Sequence, residues 1–321
     1  MNGKLTPSHL ALINLVLGLL MITALFAGCT QSTTSTATPT ETAAPTAAAT
    51  PASTPAATPV ATVATAAPTT VATTATPAPT FTPSRTNIVA FTAASLTGAS
   101  PTIASSFAAA YPPDTVSFDL DGTQALKTQI ENGAYADVFI SASNSYTNTL
   151  NKEGYFVPNS VKTLTTNYVT VILPASNPGN IQSLSDLAKP GVKIAMAANT
   201  VPVGTATTAV LNNLANDTYS QRWKNQTISN VVTYETSEPA VATKVSLGEV
   251  DAGFVYQSTA NAAPSGTYQS LSIPQKDNYL QTYTIAIVNQ SQNKAVASWF
   301  EQYMLSAAGQ NILAQYGFTA P

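Results

Sequence analysis

Between residue 86 and the C-terminus, short apolar runs of strand length alternate with segments whose apolar residues recur every three or four positions. The first run, 87–94, ends in small residues, and a hydroxyl follows at Ser95 before apolar residues take up helical spacing from Leu96 to Phe107. This pattern predicts a strand, a turn and then a helix. Ser100-Pro101 resembles an N-cap followed by proline at the first helical position, which would start the helix one turn after Ser95.

The rest of this region continues the same alternation. Further strands are predicted at 116–120, 137–141, 164–173, 192–197, 231–234, 252–256 and 283–288, and two amphipathic helices at 296–305 and 310–316 end the chain. Alternating units predict an α/β fold with mixed, mostly parallel sheets and helices on both faces. The runs 164–173 and 283–288 are expected to cross between two lobes, lobe I (86–167 plus 285–321) and lobe II (168–284), with a ligand cleft between them.

Four of the predicted turns lie where a strand gives way to a helix, at Ser95, Thr123, Val203 and Glu238. Several helix N-termini converging on one cleft hold an oxyanion without counter-charges, because their backbone N–H groups and dipoles face it. Each residue also has a plainer interpretation. Ser95 and Thr123 alone favour helix capping, Glu238 alone is typical of a solvated first-turn carboxylate, and Tyr256 alone is typical of a core tyrosine.

The N-terminal residues 1–28 have the pattern of a secretory signal: a short segment with Lys4, an apolar run at 10–27, and small residues before Cys29. The alternative is a transmembrane helix, since the run is about long enough to span a bilayer. Gly28-Cys29 resembles a lipobox, which predicts lipidation of Cys29. The signal and the transmembrane interpretations both place the remainder outside the cytoplasm. Lipidation of Cys29 would anchor it to the outer face of the cell membrane.

Residues 29–85 consist mainly of Thr, Ala, Pro and Ser, without apolar periodicity. A segment of this composition has little to bury and does not offset the entropy of ordering. It is predicted to be a disordered stalk, and its Thr/Pro content is typical of O-glycosylation.

Composition excludes several classes of function. The only histidine is His9, inside the predicted signal, and Cys29 is the only cysteine. The mature chain therefore lacks serine–histidine and cysteine–histidine catalysis and histidine-ligated metals. Of the 12 basic and 15 acidic residues, Lys4, Arg85 and Glu41 precede residue 86. The remaining charges form no basic patch, so nucleic acid is not an expected partner.

Several motifs together resemble the molybdate- and tungstate-binding proteins of ABC importers, which are class II substrate-binding proteins of the periplasmic type. The motifs are FTAASLT at 91–97, GTQALKTQIENGAYADVF at 122–139, SLSDLAKPGV at 183–192, VPVG at 201–204, GFVY at 253–256 and ILAQYGF at 312–318. The resemblance implies two α/β lobes that close on a tetrahedral oxyanion, an ABC permease as partner, a lipoprotein form, and a monomer without cofactor or enzymatic activity.

The resemblance also implies the binding residues. Ser95 matches a serine that binds through its hydroxyl and N–H, and Thr123 falls where the family has a second serine. Val203 matches a backbone N–H donor, and Tyr256 matches a tyrosine that donates its phenol. Glu238 is the departure, since bacterial members usually have an apolar residue at that position.

In archaeal members, the position of Glu238 resembles that of a glutamate that coordinates the metal of the oxyanion. Those members also use an aspartate where this chain has Val201. The chain thus looks intermediate between the two groups, and both a bare tetrahedral ligand and metal coordination by Glu238 stay open. Molybdate and tungstate share their charge and differ little in size, so the sequence does not choose between them.

Other functions are compatible with parts of the sequence. The nearest is the same fold binding sulfate or phosphate. A stalked cell-surface adhesin would suit the Thr/Pro segment. A glycosidase would need a carboxylate pair, such as Asp119 with Asp121 or Glu235 with Glu238. This function is disfavoured because surface carboxylates are common and the sequence does not place either pair in a cleft.

Overall fold

The structure is a computed structural model, and it describes residues 85–321. The predicted signal at 1–28, the lipidation of Cys29 and nearly all of the stalk at 29–85 lie outside the described residues. Within the described part, no helix is long and apolar enough to cross a membrane.

Strands and helices alternate along most of the chain, as the hydrophobic pattern predicts. The strands are β1 (Asn87–Ala93), β2 (Thr115–Asp121), β3 (Val138–Ser141), β4 (Lys162–Pro174), β5 (Ile194–Ala197), β6 (Val231–Glu235), β7 (Ala252–Tyr256), β8 (Tyr268–Leu271) and β9 (Leu280–Ile287). The helices are α1 (Ser100–Ala110), α2 (Thr123–Glu131), α3 (Asn144–Lys152), α4 (Pro202–Asp217), α5 (Gln221–Ser229), α6 (Glu238–Ser246), α7 (Gln257–Ala262), α8 (Lys294–Leu305) and α9 (Ala307–Gln315).

The strands are joined in the order β2-β1-β3-β9-β4-β7-β5-β6, and β8 pairs with β4. Parallel pairs form the two ends, β2-β1-β3 and β7-β5-β6. The connection between them is antiparallel, from β3 through β9 and β4 to β7. The predicted α/β class with mixed sheets is therefore confirmed. The expectation of mostly parallel strands is wrong, because four strand pairs among the described residues are parallel and four are antiparallel, and the antiparallel pairs are concentrated in the middle.

Strand β4 is the longest strand and belongs to both halves of this arrangement. Residues Lys162–Tyr168 pair with β9, whereas Val169–Ile172 pair with β7. The strand is almost wholly buried from Leu164 onward, apart from Tyr168. This matches the crossing strand predicted at 164–173. The lobe boundaries themselves, 86–167 plus 285–321 and 168–284, stay a prediction.

The turn after β1 differs from a simple strand-to-helix junction. Ala94–Leu96 form one turn of 3-10 helix, and α1 begins only at Ser100, with proline in its first turn. The helix thus starts where the Ser100-Pro101 signal predicts, but the capping role of Ser100 is wrong, because Ala99 occupies the N-cap position and Ser100 is the first helical residue. Ser95 lies in a separate tight turn and does not cap α1.

Three elements were not predicted. Helix α5 is polar apart from Trp223, which is buried, and Ile228, which is exposed, and Ser220 caps it by accepting a hydrogen bond from the Trp223 N–H. Helix α7 has only six residues, and β8 is at most half-buried. Short or mostly polar elements carry too little hydrophobic periodicity to be recognised.

Candidate functional site

The five residues predicted to bind the ligand line one small cavity. Ser95, Thr123, Val203, Glu238 and Tyr256 all contribute to its wall. The others that line it are Ala93, Ala94, Gly122, Ala142, Val201 and Pro202. The cavity has a volume of about 20 Å³, and a volume of roughly 10–15 Å³ on this measure holds one water molecule. Its size suits a ligand of a few heavy atoms.

Ser95 reaches the cavity from the 3-10 turn that follows β1. It is 6% exposed, and its hydroxyl lies 2.8 Å from the phenol oxygen of Tyr283. Its carbonyl accepts a hydrogen bond of 3.2 Å from the hydroxyl of Ser258. The small residues Ala93 and Ala94 stand beside it, so a ligand can approach the backbone of this turn closely.

Thr123 is the first residue of α2, and Gly122 occupies the N-cap position. The capping interpretation of Thr123 is therefore wrong. Its hydroxyl oxygen accepts a hydrogen bond of 3.1 Å from the N–H of Ala142, which follows β3. Because that oxygen accepts, its own proton stays available to donate into the cavity.

Val203 lies in the first turn of α4, after Val201 at the N-cap and Pro202 at the first helical position. The first N–H groups of a helix have no partner within it, so the Val203 backbone is suited to donate to a ligand. The next residue, Gly204, holds this turn close to β5. A Cβ at that position would overlap the carbonyl oxygens of Ala197 and Ala198.

Glu238 is the first residue of α6 and is 4% exposed. The expectation of a solvated surface carboxylate is therefore wrong. Its Oε1 accepts a hydrogen bond of 2.6 Å from the N–H of Tyr256, and the side chain of Thr259 also bonds the carboxyl group. Burial raises the pKa of Glu238 from 4.5 to about 7, although these two hydrogen bonds favour the charged form. Glu238 is thus poised to change charge near neutral pH.

Tyr256 ends β7 and is fully buried. Its hydroxyl donates a hydrogen bond of 3.2 Å to Oε1 of Gln281, so donation to a ligand requires this O–H to turn away from Gln281. Burial is also the main cause that raises the pKa of Tyr256 well above its usual value. The phenol therefore stays protonated and is a neutral donor at any physiological pH.

Sequence reasoning missed the buried polar residues behind the cavity. Tyr283 contacts Ser95, Gln281 contacts Tyr256, and Asn167 contacts Ser258 through its side-chain nitrogen at 2.8 Å. Their only signal in the sequence is that polar residues interrupt two strands that are otherwise apolar or rich in threonine. Two more contacts cross the cleft between the predicted lobes, from Gln124 Nε2 to the Thr236 carbonyl and from the Tyr146 hydroxyl to the Thr200 carbonyl.

The cavity contains no cationic side chain, and Glu238 is the only acidic residue in its wall. Across the described residues there is no group of three or more His, Cys, Asp or Glu side chains arranged to hold a metal ion. Neither carboxylate pair considered for a glycosidase lines this cavity together. The available chemistry is that of hydroxyl and backbone donors plus one protonatable carboxylate.

The chain is similar to known binding proteins along the same region. Residues 88–319 match the family described as bacterial extracellular solute-binding protein. The molybdate-binding protein ModA of Mycobacterium tuberculosis is 32% identical over 235 residues, which are 73% of this chain and 85% of the relative.

Solved structures of binding proteins have a fold similar to that of this chain. The substrate-binding domain of a putative molybdenum ABC transporter from Clostridium difficile is 26% identical with a TM-score of 0.57, over 74% of this chain and 99% of that one. The periplasmic molybdate-binding protein of Azotobacter vinelandii is 24% identical with a TM-score of 0.63, over 73% of this chain and 99% of that one. The fold, the cavity and these similarities agree, and the chain belongs to the family of bacterial extracellular solute-binding proteins.

Proposed function

We propose that this protein captures molybdate or tungstate outside the cytoplasm and delivers it to the permease of an ABC importer. The observation that carries the proposal is the small buried cavity in which Ser95, Thr123, Val203 and Tyr256 stand together as uncharged donors. The molybdate-binding names of the relatives in Mycobacterium tuberculosis and Clostridium difficile support the same ligand class.

Uncharged donors suit a tetrahedral dianion. Each hydrogen bond from a neutral group to a charged acceptor contributes about 1.5–3 kcal/mol, and helix N-termini add favourable dipoles. A ligand held in this way needs no counter-charge from the protein. The absence of lysine and arginine from the cavity wall is therefore consistent with anion capture.

The remaining parts of the proposal follow from this role. The protein is a monomer that binds and releases its ligand unchanged, without a cofactor and without an enzymatic step. Lipidated Cys29 holds it at the outer face of the membrane, and residues 30–85 act as a spacer between the lipid and the binding domain. Domain closure about β4 and β9 would let the permease distinguish loaded from empty protein.

The buried Glu238 supports phosphate as a second candidate. An ionised carboxylate in the wall accepts a hydrogen bond from an oxyanion that carries a proton, such as hydrogen phosphate, and repels one that does not, such as sulfate. Coordination of a metal by Glu238 has a different consequence, because it favours molybdate and tungstate, whose metal centres take a further oxygen ligand.

Titration calorimetry with molybdate, tungstate, sulfate and phosphate tests the proposal, using the wild-type chain and Glu238→Gln. The proposal expects tight binding of molybdate or tungstate by the wild type. If Glu238 coordinates the metal, Glu238→Gln weakens tungstate binding and leaves sulfate binding unchanged or improved. Equal improvement for both ligands means that Glu238 is only a neighbouring charge. Preference of the wild type for phosphate, or no binding of any of the four, contradicts the proposal.

A further inference from the structure

Ser95 and three buried polar residues behind it form a chain of hydrogen bonds. They come from distant parts of the sequence: Ser95 follows β1, Asn167 lies in β4, Ser258 in α7 and Tyr283 in β9. Each is at most 6% exposed. Tyr283 and Asn167 do not line the cavity themselves, so they reach a ligand only through Ser95.

The donor and acceptor of each bond in this chain are assigned starting from Asn167. Its Oδ1 accepts a hydrogen bond of 2.9 Å from the N–H of Tyr168, which establishes which end of the amide is oxygen. Its Nδ2 therefore faces the other way and donates to Ser258 Oγ at 2.8 Å. An amide nitrogen donates and does not accept, so the direction of this bond is assigned.

Ser258 and Tyr283 both bond Ser95, through its carbonyl and its hydroxyl respectively. Ser258 accepts from Asn167, so its own proton goes to the carbonyl of Ser95 at 3.2 Å. Tyr283 is fully buried, and Ser95 Oγ at 2.8 Å is the only hydrogen-bond partner of its phenol among the described residues, so the phenol proton goes to Ser95, since an unpaired buried donor is costly. Ser95 Oγ thus receives a proton from Tyr283. Its own proton has no partner among the described residues, and the remaining direction is into the cavity.

From this order of donors we infer that Tyr283 is a positioning residue that makes Ser95 a hydrogen-bond donor toward the ligand. Without Tyr283, the Ser95 hydroxyl is free to rotate and to present a lone pair, which repels an oxyanion. The inference rests on the proposed function, because it assigns a role in the same site. It adds that selectivity for anions is set partly by a residue that never touches the ligand.

A double-mutant cycle tests this role, with molybdate and tungstate titrated into the wild type, Tyr283→Phe, Ser95→Ala and the double variant. Tyr283→Phe should weaken binding about five- to ten-fold when Ser95 is present, and less than about two-fold in the Ser95→Ala background. A merely structural role for Tyr283 lowers affinity equally in both backgrounds. Equal losses, or no loss in either background, would overturn the inference.

Two control variants separate hydroxyl direction from packing. Tyr316→Phe removes a phenol–hydroxyl bond of the same 2.8 Å length, to Thr102, away from the cavity. Ser258→Ala removes the bond to the Ser95 carbonyl and leaves the Tyr283–Ser95 bond in place. Both should change affinity less than about two-fold. A loss in either control as large as that of Tyr283→Phe contradicts the inference.

A measurement on the wild type covers the case in which Tyr283→Phe does not fold. In a crystal structure with bound tungstate, Ser95 Oγ should lie within hydrogen-bond distance of Tyr283 and of a ligand oxygen at the same time. A bound ligand with Ser95 rotated away from Tyr283 overturns the inference. Failure of the proposed function is distinguishable, because the wild type would then bind neither oxyanion in the titration.

Discussion

The two walls of the cavity have different chemistry. The Ser95 wall, made of Ser95 and Thr123, presents neutral hydroxyls whose oxygens are held by Tyr283 and by the Ala142 N–H. The Glu238 wall, made of Val203, Glu238 and Tyr256, combines a helix start with a buried carboxylate whose pKa is about 7. The first wall suits any tetrahedral oxyanion. The second changes its charge near neutral pH, and it is therefore the wall that discriminates between oxyanions.

The largest expected effect is on the backbone of the Glu238 wall. In Gly204→Ala the new methyl group overlaps the carbonyl oxygens of Ala197 and Ala198, so the start of α4 must move away from β5. Overpacking of this kind costs about 1–3 kcal/mol, and we expect the upper end together with loss of oxyanion binding. Chemical denaturation and calorimetry measure the two effects. Gly191→Ala is a control for the binding measurement only, because nothing crowds a Cβ there but its positive φ strains any added side chain. If Gly204→Ala binds as tightly as wild type, the α4 backbone is not part of the site.

The second effect is the pH dependence of stability, which comes from Glu238. Its pKa is raised from 4.5 to about 7 on folding, so between these values the folded protein holds a proton that the unfolded chain has lost. The stabilising contribution is complete below pH 4.5 and is lost as pH rises through 7. At about 1.4 kcal/mol per pH unit, the loss approaches about 3 kcal/mol.

Glu238→Gln should remove this part of the pH dependence, because a glutamine keeps the acceptor for the Tyr256 N–H and does not ionise. Free energies of unfolding of the two proteins, measured without ligand between pH 4.5 and 8, provide the comparison. We expect the curves to diverge as pH rises, with Glu238→Gln the more stable at pH 8. Parallel curves would mean that Glu238 is solvated.

The third effect is on the Ser95 wall and concerns binding. Ser95→Ala removes one donor to the oxyanion, which contributes about 1.5–3 kcal/mol. We expect affinity to fall ten-fold or more, at about 1.4 kcal/mol per decade, and the loss to be similar for molybdate, tungstate and sulfate. Ser105→Ala is the matched control, because its exposed hydroxyl bonds only the carbonyl of Thr102. A dissociation constant like that of wild type for Ser95→Ala removes Ser95 from the site.

The smallest effect tests how the two walls come together. The Tyr146 hydroxyl donates to the Thr200 carbonyl across the cleft at 2.6 Å, and Tyr146→Phe removes this bond. An exposed hydrogen bond contributes about 0.5–1.5 kcal/mol, so affinity should fall two- to ten-fold through faster ligand release. Tyr168→Phe, which removes a phenol bond to Gln275 inside predicted lobe II, should leave the release rate unchanged. Equal release rates for Tyr146→Phe and wild type would exclude this contact from closure.

The sequence predicted the strands and helix starts that form both walls, because hydrophobic periodicity and proline near helix starts are local signals. The sequence correctly predicted that a helix, α6, starts beside Glu238. It did not predict that Glu238 is buried, since its burial depends on β7 and α7 packing over it. The Tyr283–Ser95 bond was missed for the same reason. The two residues are 188 positions apart, and only the order of the strands brings them together.

The measurement that tests the central claim most directly is a tungstate-bound crystal structure, with tungsten located by its anomalous scattering. The account predicts one strong peak between the two walls, with ligand oxygens within hydrogen-bond distance of Ser95 Oγ, Thr123 Oγ1 and the Val203 N–H. The distance from the tungsten peak to the Glu238 carboxylate distinguishes metal coordination from a bare tetrahedral ion. A peak outside this cavity, or none at saturating tungstate, would contradict the claim that the cavity is an oxyanion site.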